Sequence, residues 1–200
     1  MDSIAVQMLV SLAVGYLMGS IPFGLLLARA TGAGDIRDVG SGNIGATNVL
    51  RTGKKWVAAL TLVFDVAKGA APVLLATRFF PGTEALAAAG AFFGHLYPVW
   101  IKFRGGKGVA TYAGIMFGLF PWLGGLIYAA VWIFGLAAFR ISSVAGLLAA
   151  ISAPLVAYWF GHFEIIALLV ACSLLVFWNH RENIERLLAG NEPRVGSKAK

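Results

Sequence analysis

The sequence predicts an all-α, polytopic membrane protein, and three observations predict it. Of 200 residues, 59% are hydrophobic and only 12% are charged, with a mean hydropathy of +0.80. Soluble domains carry about 25% charged residues, so this chain cannot coat a globule with polar surface. The apolar residues also fall into long runs, of the length that lets a helix cross a hydrocarbon layer about 30 Å thick. Finally, Lys and Arg gather in alternate polar segments, as the positive-inside rule requires of a threaded chain.

The first span is expected at Ile4–Ala30, broken at Ser20, Pro22 and Gly24. Asp2 stands where a secretory signal would be basic, and the apolar run continues past Leu12, so the segment reads as a span. A polar segment, 31–55, precedes a second span at 56–77. A tight turn at 78–82 leads to a third span at 84–101, and 102–108 is a second polar loop. Residues 109–120 form a short apolar piece, followed by spans at 121–139, 142–160 and 163–178. The tail from Asn179 is expected to be helical at first, with Ile184, Leu187 and Leu188 at amphipathic spacing. The chain thus reads as one integral-membrane domain over 1–192 with a polar, disordered tail at 193–200. It has seven transmembrane helices, some short, or five if 109–120 and a neighbour do not cross.

With the N-terminus outside and the C-terminus cytoplasmic, all but two of the 16 Lys and Arg fall on inner segments, Lys198 and Lys200 among them. Arg78 is outside and Lys68 lies within a span. The net charge of +7 follows this asymmetry, so it does not signal nucleic acid. The single cysteine, Cys172, sits in an apolar run and reads as a buried hydrophobe. His95, His162, His180 and Cys172 show no metal-ligand spacing.

Three inner segments carry residues fit for chemistry. In 40–51, Gly40, Gly42 and Gly45 alternate with Ser41, Asn43, Thr47 and Asn48, and Arg51 follows. Glycines let backbone N–H groups approach an anion, and an arginine adds a bidentate contact. This is not a Walker A loop, since the Gly-Lys-Ser/Thr ending is absent. In 102–108, Lys102 and Arg104 suit a membrane anchor. Lys107, flanked by Gly105, Gly106 and Gly108, suits a reach towards phosphate. At the start of the tail, His180 and Asn183 are three apart and share a helical face. They suit either joint binding of a ligand or, for His180, general-base duty. Asn179 reads as the cap of this helix. Function is expected where the three segments converge.

Asp65 and Lys68 lie mid-span at i, i+3, and a mutual ion pair facing the bundle interior is the favoured reading over a proton path. Ser20 and Pro22 read as a kink, with Ser20 a further lining candidate. Ser142 and Ser143 read as helix caps or as substrate contacts at the inner face. A phosphate-ester transporter is the main rival reading, but transporters usually show repeats and midplane breaks, which are not evident here. A scaffold gives no reason for glycines around Lys107.

Four motifs in register resemble the PlsY family of bacterial acyl-phosphate:glycerol-3-phosphate acyltransferases. They are Gly19-Ser20-Ile21-Pro22-Phe23-Gly24, the 40–48 loop, Gly94-His95-Leu96-Tyr97-Pro98-Val99-Trp100 with 102–108, and Asn179-His180-Arg181-Glu182-Asn183-Ile184. The resemblance spans about Gly19 to Glu192. It implies a seven-helix inner-membrane enzyme that transfers an acyl group from a long-chain acyl phosphate to glycerol-3-phosphate, giving lysophosphatidic acid, without a cofactor or a covalent intermediate. Carried over, Ser41, Arg51, Lys107, His180 and Asn183 would line the site and hold phosphates. Nearby glycines would add N–H groups, Ser142 or Ser143 would touch the donor, and Glu185 would tie the tail helix to basic groups. The implied partners are the two substrates, membrane lipid and, transiently, the enzyme that makes the acyl phosphate.

Overall fold

The computed structural model describes residues 3–196, and every regular element among them is a helix. Lys198 and Lys200 lie outside the described residues. The chain forms two compact units, residues up to 119 and from 120 onward.

In the first unit, α1 (Ile4–Gly19) and α2 (Phe23–Ala30) are the two pieces of the expected first span. They part where expected, because Pro22 lacks an N–H and drives Ile21 out of the helical region. Ser20 is buried at this break. Its hydroxyl donates to the Leu17 carbonyl at 2.8 Å and accepts from the Trp100 indole at 2.7 Å. The polar segment then forms a single 3-10 turn, Ile36–Asp38, and the short helix α3 (Ala46–Leu50). Beneath it, Leu25, Ala28, Ile36, Ile44, Val49, Val57 and Ala58 form a buried cluster that seats the polar loop on α2.

The longest helix, α4 (Lys55–Phe79), has 25 residues and spans about 37 Å. Next, α5 (Glu84–Leu96) stops short of the expected 84–101. Pro98 pushes Tyr97 to φ −129° and ψ 57°, and only a 3-10 turn, Val99–Ile101, follows. With α6 (Val109–Leu119) the unit closes. At 13 and 11 residues, α5 and α6 reach about 20 and 16 Å.

Small residues bring these helices into backbone contact. A Cβ at Gly15 or Gly19 would overlap α5 carbonyl oxygens, and one at Gly90 or Gly94 would overlap those of α1. Gly69 and Gly114 do the same between α4 and α6. This is how helices associate where lipid offers no hydrophobic drive. Ser11 and Thr83 add a buried hydroxyl pair at 2.6 Å, and Tyr16 donates to the Tyr97 carbonyl at 2.9 Å.

The second unit holds α7 (Leu123–Phe139), α8 (Ser142–Trp159), α9 (Ile166–Asn179) and α10 (Arg181–Leu188). Helix α9 packs on α8 through Ser173, whose hydroxyl reaches the Ala150 carbonyl at 2.7 Å. Asn179 is not a cap. It ends α9, and the chain bends by 59° at His180 into α10.

Among the described residues, three helical segments are long and apolar enough to cross a membrane, namely Ile4–Ala30, Lys55–Phe79 and Ser142–Trp159. The bent pair α9 and α10 makes a fourth if taken together. Large apolar side chains face outward, among them Leu9, Val63, Phe134 and Leu174 at 59–73% exposure. A protein in water would bury them, so this is an integral membrane protein.

Candidate functional site: polar segments in each unit

In the first unit, Asn48 builds the glycine-rich loop. It is 3% exposed, and its amide nitrogen donates to the carbonyls of Ile36 at 2.7 Å and Asn43 at 2.8 Å. Its oxygen accepts from the Ser41 N–H at 3.2 Å. Asn43 closes a tighter turn by accepting from the Gly45 N–H at 2.9 Å. Both residues, expected to meet a phosphate, are thus committed to the loop's own backbone. Asn48→Asp would aim a carboxylate at two carbonyls. It is expected to cost about 1–3 kcal/mol, seen as a lowered thermal midpoint.

Gly40 has a positive φ of 58°, and a Cβ there would strike the Arg51 guanidinium and the Asn48 amide. The turn is therefore shaped around the arginine. Among the described residues, no side chain pairs with Arg51 by ion pair or hydrogen bond. Three other basic side chains, those of Arg29, Arg37 and Lys54, are occupied. Arg29 and Arg37 both hold Asp35, at 2.8 and 2.6 Å, and Lys54 donates to the Thr31 carbonyl. The hydrogen bonds from Arg37 and then Arg29 hold the Asp35 carboxyl well below the usual carboxylate range. Ser41 is exposed at the loop's surface, with its hydroxyl 3.5 Å from the Asn48 side-chain oxygen.

The Lys107 loop is set by α5. The N–H groups of Gly105 and Gly106 donate to the carbonyls of Leu96 and His95, each at 3.1 Å. Side chains at either position would overlap that helix end. These glycines are small because the chain runs against α5, and their N–H groups are spent there. Gly108, at φ 89°, then turns the chain into α6. Lys107 itself is half-buried.

In the second unit, His180 is 4% exposed, and its Nδ1 lies 2.8 Å from the Val176 carbonyl. A carbonyl only accepts, so Nδ1 carries the proton of this bond. Asn183 is 7% exposed and donates to Glu192 at 2.5 Å. Ser143 donates to the same carboxylate at 2.7 Å and Arg186 pairs with it at 2.8 Å. Neither Ser142 nor Ser143 caps α8, whose start at Ile141 has no side-chain cap.

Glu192 is the residue that sequence reading missed. Glu185, expected to tie the tail to basic groups, is exposed, and Glu192 makes that tie instead. Nor does order end at 193, because the Val195 N–H donates to the Arg140 carbonyl at 2.7 Å. Burial raises the Glu192 pKa, but bonds from Asn183, Ser143 and Arg186 outweigh it and hold the carboxyl below its ordinary 4.5. Its stabilisation is therefore complete above that pH and lost as pH falls through the lower folded value. Glu192→Gln is expected to lower the thermal midpoint near neutral pH, with the gap to the parent narrowing on acidification.

The chain is similar to known proteins along almost its whole length. The family profile described as Glycerol-3-phosphate acyltransferase matches residues 9–190. A glycerol-3-phosphate acyltransferase of Mesorhizobium japonicum is 54% identical over 96% of this chain and 97% of its own. One of Erythrobacter litoralis is 56% identical over 92% of this chain and 93% of its own. A crystal structure of PlsY, an integral membrane glycerol 3-phosphate acyltransferase in its glycerol 3-phosphate form, superposes with a TM-score of 0.89 at 38% identity, covering 94% of this chain and 96% of that one. PlsY in its lysophosphatidic acid form gives a TM-score of 0.86 at 36% identity. Profile, relatives and fold agree along almost the whole length, and the chain belongs to the PlsY family of glycerol-3-phosphate acyltransferases.

Proposed function

We propose that this acyltransferase takes its acyl group from a long-chain acyl phosphate and gives it to glycerol-3-phosphate, yielding lysophosphatidic acid and inorganic phosphate. This is an early step of bacterial phospholipid synthesis. The observation that carries the reading is Arg51, a guanidinium with no side-chain partner among the described residues, packed on a glycine turn whose two asparagines are already committed. A solved relative is described in a glycerol 3-phosphate form and again in a lysophosphatidic acid form, which supports the same acceptor and product here.

The chemistry needs no protein nucleophile. An acyl phosphate is a mixed anhydride, so the acceptor hydroxyl attacks the carbonyl carbon directly. The new C–O ester bond forms, the bond from carbonyl carbon to phosphate oxygen breaks, and phosphate leaves with the electron pair. The hydroxyl proton passes to a phosphate oxygen. Two anions must meet against their repulsion, which calls for fixed cations and donors. Arg51 and Lys107 supply charge, and Ser41 supplies a hydroxyl at the loop. His180 and Asn183 are further substrate-binding residues in this proposal. Gly40, Asn43 and Asn48 shape the first loop, and Ser143 holds the tail through Glu192.

Seven membrane crossings, with the N-terminus outside, the C-terminus inside and the polar segments at the cytoplasmic face of the inner membrane, fit the charge asymmetry. Residues 1–192 would then be one catalytic domain, reached laterally by membrane lipid and transiently by an enzyme that makes the acyl phosphate. His180 in this scheme binds rather than removes a proton. His180→Gln should therefore raise KM for glycerol-3-phosphate while leaving part of kcat. Full loss of kcat at unchanged KM would transfer the base role to His180. Palmitoyl-CoA supporting turnover as well as palmitoyl phosphate does would refute the donor assignment.

A further inference from the structure

The middle of α4 holds a buried polar cluster that the reaction scheme does not use. Asp65 and Lys68 form an ion pair at 2.8 Å, with side chains only 3 and 2% exposed. His95 of α5 stands beside it, its Nδ1 3.9 Å from the Asp65 carboxylate. Lys68 makes a second contact, donating at 2.8 Å to the carbonyl of Ile21. That carbonyl lies at the break between α1 and α2, where Pro22 leaves the backbone without its regular partners. The same ammonium lies 5.9 Å from the centre of the Phe23 ring, at the first residue of α2.

Each contact leads to one of the two loops. On one side, Lys68 fixes where α2 begins. α2 in turn carries the 40–51 segment, through the Leu25 and Ala28 cluster and through Gly24, which packs on the Ile44 carbonyl. On the other side, the His95 carbonyl receives the Gly106 N–H, and its ring lies so close that a Cβ on Gly106 would overlap Nε2. Lys107 is the next residue. An ion pair that served only to neutralise itself would need neither the Ile21 carbonyl nor the neighbouring histidine.

We infer that Asp65, Lys68 and His95 form a pivot that sets the Arg51 segment and the Lys107 loop at a fixed separation, acting as positioning residues for acyl transfer. The functional half of this inference rests on the proposed reaction; the structural half does not. Asp65→Asn with Lys68→Met removes both charges together, so no lone charge is left buried. Spin labels at Leu50→Cys and Arg104→Cys, in a Cys172→Ser background, report the separation of the two loops. The double variant is expected to elute as a folded protein. Its label distance should broaden or shift, and its kcat/KM should fall at least tenfold, with Lys68→Arg retaining most of the activity. His95→Leu supplies a second variant without a stranded charge and should broaden the same distance. A parent-like distance in either folded variant overturns the pivot, and so does failure of His95→Leu to change it where the double variant does not fold. Absence of acyl transfer in the parent would refute the proposed function alone, since the distance measurement stands without it.

Discussion

Replacing Arg51 by Ala is expected to lower kcat/KM by about 10²–10³, on the order of losing one preorganised donor to a charged group in a catalytic site. The loss should appear mainly as a raised KM for glycerol-3-phosphate, because a cation facing a phosphate binds it in the ground state as well as the transition state. Folding should not change. Arg51 is exposed, and no side chain among the described residues depends on it. The space created beside Gly40 opens to solvent rather than to core. Arg51→Lys should recover only part of the loss, since an ammonium cannot reproduce a two-pronged contact. Steady-state kinetics with varied acceptor checks this, alongside thermal unfolding of the same preparations. Parent-like kinetics for the alanine variant would remove Arg51 from the site.

The largest stability effect is expected at Asp65. Asp65→Leu leaves the Lys68 ammonium buried with the Ile21 carbonyl and the Phe23 ring but no counter-charge. Breaking a buried pair from one side costs about 3–5 kcal/mol, far more than removing both partners. Thermal unfolding in detergent should therefore show a strongly lowered midpoint or no folded protein. The double replacement of Asp65 by Asn and Lys68 by Met should restore the midpoint. Equal destabilisation in single and double variants would mean that the pair is not closed on itself.

The fold was legible where a single local rule decides. Pro22 broke the first span as expected, and the mid-span i, i+3 charges Asp65 and Lys68 meet as a helix requires. Helix ends were less legible. Hydropathy runs on through Val99, Trp100 and Ile101, yet the helix stops at Leu96, because Pro98 acts on geometry and not on hydrophobicity. Among the polar segments, residue types were readable but their partners were not. Asn48 looked like a ligand contact from its setting in a glycine-rich stretch. Its real partners, the carbonyls of Ile36 and Asn43, are set by how the loop folds back on α2. Gly105 and Gly106 suggested freedom around Lys107, whereas they mark close approach to α5. Glu192 followed Gly190 and Asn191 in what read as a trailing tail. Only the chain's return towards Ser143 and Asn183 reveals its use.

Acyl transfer from an acyl phosphate to glycerol-3-phosphate can be followed directly. Purified protein, shown to be folded by its unfolding transition, is incubated with radiolabelled glycerol-3-phosphate and palmitoyl phosphate. Labelled lysophosphatidic acid and an equal amount of inorganic phosphate are the expected products. Folded protein that yields neither would contradict this acyl transfer.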